Sequence, residues 1–171
     1  MAESDSPTTI KLQGIDLQVR RKGKGAPLLM LHGGGGPMSG FPFTDALARH
    51  FEIIEPVHPG FAGTPIPAQF DNHEDLVYLY LDLIDHLGLK DAVVMGHSMG
   101  GWTAAEIAVR NSSRIGKLIL VDAVGVKVSG RDTRDIVDVF ATSQKELNRL
   151  AWHNPARAPD PSAMSMTRLR S

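Results

Sequence analysis

Asp91-Ala92-Val93-Val94-Met95-Gly96-His97-Ser98-Met99-Gly100-Gly101-Trp102 is the stretch on which the fold turns. Residues 91–95 form a short apolar run that suits a buried strand, and residues 102–110 carry apolar positions at helical spacing. Between them Gly96-His97-Ser98-Met99-Gly100 matches G-x-S-x-G. With Gly and Ser each near 7% of residues, a chain this long shows that pattern by accident about 5–10% of the time. The setting carries the weight. A strand entering and a helix leaving make the tight turn that lifts a serine hydroxyl above the carboxyl ends of a sheet.

Working outward, Pro27-Leu28-Leu29-Met30-Leu31 is apolar without alternation, as in a parallel strand buried on both faces. It ends in His32-Gly33-Gly34-Gly35-Gly36-Pro37, which no helix or strand interior would tolerate. Further strands are expected at residues 52–57 and 117–121, and an alternating strand near a sheet edge at 10–21. Helices are expected at 43–51 and 75–87. Strands alternating with helices predict an α/β fold, a parallel, doubly wound sheet covered on both sides. Residues 1–9 read as a disordered lead-in, 10–125 as the core, and 126–171 as a partial helical cap and tail. Within the last segment, residues 133–152 have an amphipathic helical pattern, and a Pro-rich run at 154–161 breaks it.

The 171 residues predict one domain with a core of its own. Eighteen Lys and Arg against 19 Asp and Glu give a net charge of −1, which argues against a general nucleic-acid partner. The absence of cysteine excludes disulfides and thiolate chemistry. The polar, acidic start is unlike a signal peptide, and no apolar run approaches the roughly 20 residues of a membrane span. The expectation is a cytoplasmic protein that contacts no membrane.

The chemistry rests on two motifs in order. Ser98 is the candidate nucleophile, and the backbone N–H of Met99 is one candidate oxyanion donor. The glycine run after the neighbouring strand offers a second bare N–H, from Gly34 or Gly35.

The segment from about Ile10 to Val124 resembles the N-terminal portion of the α/β-hydrolase fold superfamily. The likeness rests on the His32–Pro37 loop, the His58-Pro59-Gly60-Phe61 turn, the Gly96–Gly101 elbow and the Leu118–Asp122 strand. It is most similar to small bacterial esterases and carbon–carbon bond hydrolases, whose sheet is topped by a helical cap. The resemblance implies a small-molecule acyl substrate, no cofactor, Ser98 as nucleophile, and Gly34 or Gly35 with Met99 as oxyanion hole. A serine at the elbow argues against the dehalogenase and epoxide hydrolase branches, which use aspartate.

The superfamily's acid and histidine follow the serine on later strands. Here Asp122, just after a strand, is the one acid position some relatives would match, and otherwise a strand-end aspartate. The only histidine after it is His153, in the segment expected as cap. The expectation is therefore a partial form of a longer hydrolase, with low turnover alone. The rival readings are a non-catalytic binding module and an inactive fragment. The apolar strand at 117–121 would leave an open sheet edge suited to self-association.

Other candidates have plainer roles. His32 is expected to order the glycine loop, and His97 to pack away from the serine. His58 sits on a strand-end loop, with packing again favoured. His73-Glu74-Asp75 looks like a metal cluster, but adjacent helical residues diverge by about 100°, so a helix start is expected and no metal site. Phe140 and Trp152 are expected to pack within the cap.

Overall fold

The computed structural model describes residues 7–158, and the chain divides into two compact units, one reaching Gly125 and the other starting at Val126. The first contains β1 (Thr8–Leu12), β2 (Ile15–Lys22), β3 (Ala26–Leu31), β4 (Phe51–Pro56), β5 (Ala92–His97) and β6 (Ile115–Val121). They form one sheet in the order β1-β2-β4-β3-β5-β6. Strands β4, β3, β5 and β6 are parallel, as expected. The sheet as a whole is mixed, because β2 runs antiparallel to both β4 and β1.

The single strand expected at 10–21 is a hairpin. Gln13 at φ 50° and Gly14 at φ 77° are both left-handed, the two-residue geometry whose twist matches its flanking strands. The expected disordered lead-in is corrected in part: Thr8 and Thr9 belong to β1, paired with Val19 and Gln18. Residues 1–6 lie outside the described residues.

The unbroken apolar run of β3 feeds two cores. Leu29 and Leu31 join Leu17, Val19, Ile54 and Val94 under α2 (His73–His86) and α3 (Met99–Arg110), against Val77, Tyr80, Leu83 and Ile107. Leu28 and Met30 point the other way, with Ile53 and Val93, toward α1 (Pro42–Leu47). Helices on both faces make the sheet doubly wound. The helix expected to run to Phe51 stops at Leu47. Phe51 instead opens β4 opposite Ala26, yet still packs on the cluster that Leu47 covers.

Strand β6 is an edge. Leu118, Ile119 and Leu120 are 40, 42 and 41% exposed, so among the described residues neither face of this strand is fully covered.

In the second unit the long amphipathic helix expected at 133–152 shortens to α4 (Gln144–Ala151), capped by the Ser143 hydroxyl accepting from the Glu146 N–H. Upstream, the Asp138 carboxylate accepts from the N–H groups of Phe140 and Ala141, and the Thr142 hydroxyl donates to the Asp138 carbonyl. Such local bonds compete with a helical ladder, and Ile136, Val137 and Val139 are β-branched, which weakens the helix further. Phe140 is 98% exposed, so the packing expected of it does not form among the described residues. The tail beyond 158, including the end of the Pro-rich break, lies outside them. No helix of the described residues is long and apolar enough to cross a membrane.

Candidate active site

Strand β5 delivers Ser98 to the start of α3 at φ 53°, ψ −118°, a left-handed backbone that is costly for a residue with a Cβ. The turn is locked on all sides. Its N–H donates to the Val121 carbonyl, and its carbonyl accepts from Gly101, Trp102 and Val124. Close packing dictates the glycines around it: a Cβ at Gly96 would run into the Gly100 carbonyl, and one at Gly100 into the carbonyls of Leu31 and His32. Elbow, β3 and β6 are thus held as one rigid corner. The Ser98 side chain is half-buried and, among the described residues, its hydroxyl has no hydrogen-bond partner.

The glycine loop lies against that corner. A Cβ at Gly33 would sit 2.9 Å from Ser98 Cβ. Gly34 and Gly35 are exposed, have open space where a side chain would be, and make no hydrogen bond among the described residues. Gly36 turns the loop back by donating to the Gly33 carbonyl at 3.1 Å. An open, largely apolar cavity of about 450 Å³ adjoins the loop, lined by Gly35, Met38, Phe43, Met95, His97 and Val121.

At its start the loop is held by buried histidines. His32 Nε2 accepts the His58 backbone N–H at 2.9 Å, so His32 Nδ1 carries the proton and donates to the Gly33 carbonyl at 2.8 Å. His58 Nε2 donates to the His32 carbonyl at 2.7 Å, so its Nδ1 accepts the Tyr80 hydroxyl. The two rings lie 3.7 Å apart. Every donor and acceptor is used only if both rings are neutral. Burial enforces this, lowering His32 to about 4 and, with the adjacent His32 ring adding to the effect, His58 to about 3. His32 orders the loop as expected, and His58 does so as well rather than facing the site.

The far end of the loop is held differently. Glu55, 1% exposed near the end of β4, accepts the N–H groups of Met38 at 2.5 Å and Ser39 at 3.1 Å. Arg20, its partner across the β2–β4 ladder, donates to Ser39 Oγ at 2.9 Å.

The remaining candidates separate. His73 stacks on Trp102 and shares a 2.9 Å bond with Thr103 Oγ1, Glu74 pairs with Arg110, and Asp75 caps the first turn of α2. These side chains diverge, as a helix start requires. His97 borders the cavity and is not hydrogen-bonded to Ser98. Asp122 is exposed at φ 45°, immediately after the β6 residue that binds the Ser98 N–H. His153 is exposed in the second unit.

The sequence profile of the alpha/beta hydrolase family matches residues 28–170. The chain belongs to that family. Among its relatives, 2-hydroxymuconate semialdehyde hydrolase of Pseudomonas sp. (strain CF600) is 29% identical over 142 residues, covering 80% of this chain and 50% of that one. The dihydrolipoyllysine-residue acetyltransferase component of the acetoin cleaving system of Cupriavidus necator is 32% identical over 138 residues, covering 80% and 37%. The crystal structure of a meta-cleavage product hydrolase from Pseudomonas fluorescens IP01 superposes with a TM-score of 0.63 at 25% identity, over 72% of this chain and 47% of that one. The chain spans about half the length, or less, of these relatives.

For this hydrolase-family chain, sequence reasoning missed two groups at the site, Glu55 and Tyr80. Both had left a trace: Glu55 is a carboxylate directly after the apolar pair Ile53–Ile54 of a strand, and Tyr80 a hydroxyl on the buried face of α2. Each is a polar group that must find a partner once buried.

Proposed function

We propose that this chain carries the nucleophile and oxyanion-binding parts of a serine hydrolase acting on an ester or similar acyl substrate. Ser98 Oγ attacks the acyl carbon, its proton passing to solvent where the chain acts alone, and the carbonyl π pair moves onto oxygen. The N–H of Met99, at the start of α3, and that of Gly34 or Gly35 stabilise the resulting oxyanion. Each such donor typically contributes about 3–4 kcal/mol. Collapse expels the leaving group, which takes up a proton, and water then hydrolyses the Ser98 acyl-enzyme. The observation that carries this reading is Ser98 at φ 53° beside a glycine loop with two unengaged amides. The helical pattern within residues 131–153 is read as the start of a helical cap, and Asp122 as either the acid position that some relatives match or a strand-end aspartate. Among the described residues no base is bonded to Ser98, and losing the base costs about 10⁶ in turnover in a serine protease. Slow turnover of a p-nitrophenyl acyl ester is therefore expected from the chain alone. In the active protein, Ser98→Ala should reduce hydrolysis to the background rate. Unchanged hydrolysis would overturn the assignment.

The exposed β6 edge favours a second reading, a binding module that pairs with another copy of itself. Because the chain lacks cysteine, Leu118→Cys gives a clean probe. Disulfide-linked dimers, with a dimer mass by light scattering, would support it; a monomer without cross-linking would exclude it.

A further inference from the structure

Glu55 binds nothing at Ser98 itself, yet from β4 its fully buried carboxylate holds the loop that lies against Ser98. We infer that Glu55 is a positioning residue for oxyanion binding, holding the glycine loop so that its free amides face the acyl oxygen. This rests on the serine-hydrolase reading above.

Burying a carboxylate is costly unless it is bonded or paired, so a strand that only needed to pack would carry an aliphatic residue at this position. Glu55 instead spends both oxygens on consecutive backbone donors, Met38 and Ser39. These follow the Gly33–Gly36 turn by two and three residues. The turn's own fastening is a single backbone bond, Gly36 to Gly33, and four successive glycines give it little intrinsic preference. With His32 held at one end and Met38–Ser39 at the other, the loop is suspended between two buried polar anchors. Both anchors come from one short segment, since Glu55 and His58 are three residues apart at the end of β4. Arg20 extends the second anchor: it is the ladder partner of Glu55 and bonds the Ser39 hydroxyl. An oxyanion donor displaced by about 1 Å loses much of its effect, so releasing this anchor should slow acylation without altering the surface that receives substrate.

The test uses the chain as it stands. In the unaltered protein, hydrogen exchange should show the Met38 and Ser39 amides protected and those of Gly34 and Gly35 open. Equal, fast exchange at all four overturns the proposal whatever any variant does. Glu55→Gln keeps the shape but gives one of the two N–H groups a donor instead of an acceptor. Reaction of Ser98 with a fluorophosphonate probe, resolved into reversible binding and inactivation, should lose about tenfold or more in the inactivation constant. The binding constant and the exchange protection of β3 and α2 should stay unchanged. An unaltered inactivation constant in a variant that has lost Met38 and Ser39 protection overturns the positioning role. If the parent chain does not label at all, the serine-hydrolase reading fails separately. Glu55 is then judged on the Gly34 and Gly35 amide resonances, which should move in Glu55→Gln and, if unmoved, overturn it.

Discussion

Acidification from pH 7.5 to pH 4 should cost the first unit about 3 kcal/mol from each of His32 and His58. The sign follows from proton counts. In the folded chain burial keeps both rings neutral, to about 4 for His32 and about 3 for His58. In the unfolded chain both take up a proton near 6.5. Below that value the unfolded state binds more protons, so stability falls with pH. The contribution is intact above pH 6.5 and is lost progressively down to about pH 4 for His32 and about pH 3 for His58. The two losses together rival the 5–15 kcal/mol that typically separates folded from unfolded. Protonation also breaks specific bonds, since His32 Nε2 would then point a proton at the His58 N–H. Urea midpoints measured at quarter-unit steps should decline steadily between pH 6.5 and about 5.5, above the range where ordinary carboxylates titrate. A flat profile in that window would show that the histidine pair is not held neutral.

The second large effect is steric. Gly100→Ala should destabilise the first unit by several kcal/mol, at or above the upper end of the roughly 1–3 kcal/mol common for overpacking, and abolish probe labelling of Ser98. Its new methyl group would press into the backbone carbonyls of Leu31 and His32. Neither can retreat, because Leu31 is fixed in β3 between β4 and β5 and the His32 carbonyl is bonded to His58. Gly35→Ala makes the contrast. Nothing lies within 4 Å of a Cβ there, so its melting temperature should stay within about 1–2 °C of the parent. Equal melting temperatures for the two variants would mean that the α3–β3 contact is looser than described.

The contrast also marks what a reader of the sequence could foresee. The elbow was legible because its constraints are local: a strand, three glycines around a serine, and a helix cannot pack closely any other way. The parallel centre of the sheet was legible for a similar reason, since Leu28–Leu31 and Leu118–Val121 lack alternation. The hairpin at Gln13–Gly14 was not, because Gln is an unusual residue for a left-handed turn position and the apolar pattern runs through it. The helical pattern at 133–143 misled, because periodicity does not register that the Asp138 side chain satisfies the local N–H groups first. Glu55 and Tyr80 were hidden for a third reason. Their partners, Met38 and His58, lie 17 and 22 residues away in sequence, and only the fold brings them together.

The most direct test of the account is to treat the folded chain with a fluorophosphonate and locate the adduct by mass spectrometry. The account predicts slow modification at Ser98 alone, lost in urea and absent from Ser98→Ala. No adduct on a folded chain, or an adduct on another residue, would contradict it.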